Sequence, residues 1–314
     1  MLKEFLNLVF STAFLTASIT YSTPFILAAM GGIVSERSGV LNLGLEGMML
    51  TGALFAFVGS YFTGSPVIGV LFAVGASMVL GVAHAIACVE FGANQVISAV
   101  AINIFAVGLT SALFKSFFQN ETGQLFSPGF EKIQIPILKD IPVLGNAVFS
   151  QNIFTYIAII LVPLTYIVFY KTKIGLKIRA SGEYPKAANT MGVKVQKVRI
   201  LSVIYSSAIA GIAGAALSIA GINTFIENIS AGRGFIAFAC IIFGKFNPIG
   251  TAIAALMFGL ADGLQIRIQS TGLPIPYQLP LMLPYLLAFV MLFLSGKNFS
   301  PQSWGVPYFA NEEE

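Results

Sequence analysis

The chain has 314 residues, of which 56% are hydrophobic and only 10% charged, with a formal net charge of +4. Soluble domains carry roughly a quarter charged residues, so this composition, with a mean hydropathy of +0.86, excludes an ordinary soluble enzyme and indicates an all-α polytopic membrane protein. One histidine excludes a histidine-rich metal centre, and Cys88 and Cys240 sit in apolar runs without ligand spacing.

Charge-free runs of about 20 residues mark membrane helices. The first covers residues 5–35, too long for the apolar region of a cleavable signal and without a clear cleavage site. Residues 47–89 accommodate two helices, divided at the turn-like TGSP of residues 63–66. Runs at 91–114, 141–170, 200–226, 246–261 and 268–296 follow. The short stretch 235–244 is either a span joined to its neighbour at GKFNP or a re-entrant piece. The expectation is one transmembrane domain, residues 1–314, of eight to nine transmembrane helices, because lipid leaves backbone amides no partner outside a helix.

One loop sets the orientation. Residues 171–199 hold Lys171, Lys173, Lys177, Arg179, Lys186, Lys194, Lys197 and Arg199 against a single acid, Glu183. Such a loop stays cytoplasmic. The connection 115–150 mixes Glu121, Glu131 and Asp140 with Lys115, Lys132 and Lys139, and reads as external. Counting outward puts SERSG (35–39) and EFGANQ (90–95) on the cytoplasmic side; with nine spans the N-terminus is outside and the acidic NEEE inside.

Within the basic loop, Gly182 and Glu183 precede Pro185, which suits a helix start, and Gly192 suits its stop. KAANTM between them predicts a short helix whose Ala187 and Ala188 admit close approach; the alternative is a solvated loop without a partner. KAANTMG resembles the EAA…G signature that ABC-importer permeases present to their ATPase, with Lys186 where the family carries an acid. The resemblance implies that Gly182, Glu183, Pro185, Ala187, Ala188 and Gly192 belong to an ATPase-coupling element.

The stretch GGIVSERSGVLNLGLEGMMLTGA, residues 31–53, is similar to the signature of bacterial purine-nucleoside permeases within the ribose and branched-chain amino-acid permease superfamily. ANQVISAVAINIFAVGLTSALF (93–114) and FGLADGLQIRIQ (258–269) resemble the same branch, so the likeness spreads over about residues 24–294. It implies a multi-pass permease of the bacterial inner membrane, importing nucleosides and catalysing no reaction itself. Implied partners are a cytoplasmic ABC ATPase, a second and related permease as a heterodimer, an extracytoplasmic substrate-binding lipoprotein and membrane lipid, but no nucleic acid. No Walker A sequence is present, and no cofactor is implied.

A carboxylate inside a membrane costs several kcal/mol unless it faces protein, water or a partner. On a helix starting near Val40, Asn42 and Glu46 share a face. The reading is that Asn42, Glu46, Asn94, Gln95 and Asn103 line the cytoplasmic end of the substrate path as an inner gate, since amides offer a nucleoside both donors and acceptors. The alternative is that Glu46 pairs with Arg37 or caps a neighbouring helix. Rival functions are a permease for simple sugars or branched-chain amino acids, and an ion-coupled transporter using Glu46 or Asp262.

Overall fold

The computed structural model describes residues 12–121, 123, 125–134, 147–270, 276, 278–295 and 299–309. The start of the first apolar run, the middle of the external connection with Lys139 and Asp140, and the acidic NEEE lie outside the described residues. Helix α1 (Thr12–Arg37) is buried along most of its length and packs against α8, α9 and α10, defined below. Helix α2 (Leu45–Thr63) ends at Gly64, whose φ of +70° and N–H to Ser60 O stop it. Helix α3 (Pro66–Ala85) begins two residues later with proline in its first turn, so TGSP divides the run as the sequence predicts. A π-turn (Ile86–Glu90) extends α3. Helix α4 (Gln95–Phe118) is capped by Asn94, whose Oδ1 accepts from Val96 N and Ile97 N at 3.0 and 3.1 Å.

Between α4 and α5 the chain forms a small antiparallel pair, β1 (Lys132–Gln134) with β2 (Ser150–Asn152), in register Ile133 to Gln151. This departs from an all-α expectation; these strands belong to the connection beyond the helices. Helix α5 (Ile153–Lys171) leads into α6 (Lys173–Glu183) and the short α7 (Pro185–Thr190). Helix α8 (Val195–Leu217) runs on into a second π-turn, Ser218–Ile222. Irregular backbone follows, with positive φ at Asn223, Asn228 and Ala231, before α9 (Arg233–Phe243). Helix α10 (Pro248–Ser270), the single turn α11 (Gln278–Leu281) and α12 (Leu283–Ser295) complete the helices.

Among the described residues, seven helices are long and apolar enough to cross a membrane: α1, α2, α3 with its π-turn, α4, α5, α8 with its π-turn, and α10. Helix α9 and Gln278–Phe293 are shorter apolar helices. The most apolar 18-residue windows of α1 and α2 are 78% and 83% buried, against 28% for α3 and α4, so the first pair forms the interior. Close approach there needs glycine. A Cβ on Gly52 would lie 2.7 Å from Gly211 Cα, which locks α2 against α8 backbone to backbone. Gly211 and Gly214, in the glycine- and alanine-rich run 208–221, therefore serve packing inside this chain.

A candidate translocation cavity and coupling face

The chain does not run from α1 straight into another helix. Gly39, at φ +95°, turns it, and residues 38–44 stay unwound until Leu45. Asn42 thus precedes the helix and shares no helical face with Glu46, which corrects the sequence expectation. Unwound backbone within a membrane protein must find partners in the protein, and side chains supply them here. Glu36 Oε1 accepts from Asn42 N at 2.7 Å, and Gln95 Oε1 from Leu41 N at 2.7 Å. Asn103 donates to Leu43 O at 3.0 Å and accepts from Gly47 N at 2.8 Å. His84, a packing residue as its surroundings suggest, reaches Leu41 O at 3.2 Å and Ser98 Oγ at 2.9 Å. Asn42 itself donates to Ser206 Oγ at 3.2 Å.

Glu46 sits in the first turn of α2, 6% exposed. Its carboxylate accepts from the Ser230 hydroxyl at 2.6 Å, Gly232 N at 2.8 Å and Gly234 N at 2.7 Å. These donors surround the start of α9, where four amides lack helical partners and the helix dipole favours negative charge. Gly234 is required by proximity: a Cβ there would lie 2.5 Å from Glu46 Cα. Glu46 does not pair with Arg37, because Arg37 lies at the opposite end of α9. Its Nε donates to Phe246 O at 2.7 Å and its Nη1 meets Glu183 at 3.6 Å. The eleven residues of α9 put about 16 Å between the two ends. Glu46 therefore stands well away from the end that carries the basic loop.

Of the five polar residues grouped by the sequence reading, Glu46 and Asn103 meet at a cavity of about 370 Å³, which Leu50, Val107, Asn228 and Phe235 also line. Asn42 and Gln95 support the unwound segment, and Asn94 caps α4. Further along α4 a second cavity, about 520 Å³, is lined by Phe114, Phe118, Gln119, Phe225 and the pair Lys115 and Glu227, which stand 3.4 Å apart. Ser111 donates to Glu227 at 3.1 Å.

Towards the other end of α9 the short helix predicted at KAANTM is present as α7, with Pro185 in its first turn and Gly192 at φ +83°. Ala187 is exposed, Ala188 buried, and Tyr184 and Met191 project outward at 58% and 85% exposure. The end of α6 is tied to the unwound segment by a strap that sequence reasoning missed, residues 299–309. Ser303 N donates to Gly182 O and Gly305 N to Gly39 O, both at 3.0 Å. The Trp304 indole N–H donates to Glu36 Oε2, and its ring packs on Phe238 and Phe246. Arg199, 1% exposed, donates to Ser38 O at 3.1 Å, Val306 O at 2.8 Å and Ser181 O at 3.3 Å. The available signals were the lone tryptophan after the last apolar run and the charge of Glu36 embedded in the first.

A family profile described as branched-chain amino acid transport system / permease component matches residues 14–295. The guanosine ABC transporter permease protein NupQ of Bacillus subtilis is 40% identical over 304 residues, covering 93% of this chain and 95% of that protein. The nucleoside ABC transporter permease protein NupC of Lactococcus lactis is 34% identical, covering 94% and 96%. A proposed glucose ABC transporter permease protein, TsgC13 of Haloferax volcanii, is 39% identical, covering 87% and 82%. Among solved structures, an inward-facing conformation of a proposed metal-chelate type ABC transporter superposes with a TM-score of 0.50 at 16% identity, covering 89% of this chain and 85% of that one; this speaks to fold alone. With its apolar helices and a profile match over nearly its whole length, the chain belongs to the branched-chain amino acid transport system permease component family, as a multi-pass membrane subunit of a transport system and not an enzyme.

Proposed function

We propose that this chain is the permease subunit of an ATP-driven importer that carries nucleosides, purine nucleosides foremost, across the cytoplasmic membrane. The observation that carries this reading is the likeness to guanosine and nucleoside permeases along almost the full length of both. The family implies an ATPase and a substrate-binding protein as partners in general. Here the proposal adds a related second permease and a lipoprotein receptor.

In this reading the chain crosses the membrane nine times. The seven long helices are joined by the broken crossing 223–243 and by residues 278–295. Residues 171–199 face the cytoplasm as the coupling loop, and residues 115–150 lie outside. The positive-inside rule supports this orientation. Glu46 and Asn103 border the path, with Asn42, Asn94 and Gln95 holding its supporting backbone. Gly182, Glu183, Pro185, Ala187, Ala188 and Gly192 form the element the ATPase grips. Amide groups beside apolar walls suit a sugar-linked base, and the Phe114, Phe118 and Phe225 rings line the outer cavity.

A sugar as cargo is the second reading, favoured by the 39% identity to the proposed glucose permease. Ion coupling through Glu46 finds less support, because both carboxylate oxygens already accept hydrogen bonds. The test is uptake by vesicles holding the whole complex, with labelled guanosine, glucose and leucine in parallel. Guanosine should enter only with ATP inside the site of hydrolysis and should persist when ion gradients are collapsed. Uptake of glucose alone, or uptake driven by a gradient without ATP, overturns the proposal.

A further inference from the structure

A groove of about 390 Å³ lies on the outer side of the helices, away from the cavities beside α4. Leu164 and Val168 of α5, Ile174 and Ile178 of α6, and Leu201 and Tyr205 of α8 form its walls. Two features separate it from ordinary lipid-facing surface. Thr165 lines it, is 4% exposed, and its hydroxyl has no hydrogen-bond partner. Lys177 is the one charged residue in its lining, and Lys173 stands one helical turn before it. The acid of this loop, Glu183, is engaged elsewhere, by Arg37 and by Gln302 N.

We propose that this groove binds an anionic phospholipid, one acyl chain between α5 and α8 and the phosphate at Lys177. Depth supports the assignment. Thr165 lies six residues before Lys171, the end of α5, which is about 9 Å along the axis. A headgroup layer is about 5–8 Å thick on each side of the hydrocarbon. With the lysines at phosphate level, Thr165 lies just below the inner edge of that layer, alongside the first carbons of an acyl chain, and its hydroxyl donates to the ester from which that chain hangs. Of the two other hydroxyls in the lining, Ser202 donates to Val198 O at 2.8 Å and Tyr205 is an exposed side chain. An apolar slot with a cationic end and a buried orphan donor just below the headgroup layer matches a phospholipid. An extended peptide segment would leave a row of backbone groups unpaired along these walls.

The experiment uses the assembled transporter in phosphatidylcholine vesicles containing a phosphatidylglycerol probe with a photoactivatable group midway along one chain. Labelled peptides are then mapped. Label should concentrate on residues 164–169 and 198–205, and unlabelled phosphatidylglycerol should compete about fivefold better than phosphatidylcholine. Lys177→Gln should bring the two competitors level. Ser202→Phe, which fills the slot, should remove label from α5 and α8 but leave labelling of α3; Leu201→Trp serves if that variant does not assemble. Even label over every lipid-facing helix, equal competition in the wild type, or cross-linking of a cysteine at position 201 to a second permease subunit overturns the proposal.

Discussion

The Gly234 amide donates to Glu46 Oε2 at 2.7 Å, and this contact joins the start of α2 to the start of α9. Glu46→Ala strips three donors of their acceptor in a buried place, a loss on the order of 3 kcal/mol. Glu46→Gln keeps one acceptor oxygen but turns its amide group toward backbone N–H donors, at about 1–2 kcal/mol. Thermal inactivation of the purified complex should rank wild type above Gln and Gln above Ala. Equal stability of all three would show that α9 does not depend on this carboxylate.

Trp304 and Glu36 connect the strap to the end of α1. Trp304→Phe keeps the ring between Phe238 and Phe246 but removes the N–H that Glu36 accepts. The expected stability loss is about 1–2 kcal/mol. The informative readout is the ratio of nucleoside imported to ATP hydrolysed, which should fall while the complex still assembles. An unchanged ratio would confine the strap to holding the fold.

Two adjacent alanines should respond in opposite ways. Ala187 is exposed, so Ala187→Trp leaves this chain folded and releases the ATPase in a pull-down. Ala188 is 6% exposed, and Ala188→Leu should overpack its pocket at about 1–3 kcal/mol, lowering stability before it affects the partner. Retention of the ATPase by the Trp variant would move the coupling surface elsewhere.

Glycine substitutions separate packing from propensity. A Cβ on Gly52 meets the backbone of Gly211 at 2.7 Å, and neither helix can yield cheaply, so Gly52→Ala should cost about 1–3 kcal/mol. Gly108 on α4 has nothing within 4 Å of its would-be Cβ. Gly108→Ala should be neutral or stabilise by up to about 1 kcal/mol. Midpoints of thermal inactivation measure both.

Much of this architecture was readable from local pattern. The TGSP division, the PKAANT helix and its Gly192 stop follow from turn and cap chemistry within a few residues. The unwinding of residues 38–44 was not, because its hydrogen-bond partners Gln95, Asn103 and His84 come from two other helices. Without them VLNLGLEG reads as the beginning of a helix, and Asn42 then falls in line with Glu46. The same holds for Arg199. By sequence it is one more positive charge in a basic loop, whereas its four protein partners come from three distant segments. The donors around Glu46 lie 184 to 188 residues away, beyond any periodicity argument.

The strap also bears on how the molecule is made. Glu36 and Gly39 leave the ribosome early, yet the groups that complete them, Trp304 and Gly305, are translated more than 260 residues later. Until then one oxygen of the Glu36 carboxylate and the Gly39 carbonyl lack the donors that the strap supplies, although Asn42 N already reaches the other oxygen. A nascent chain interrupted before position 300 would carry all the long helices and still display that unfinished corner.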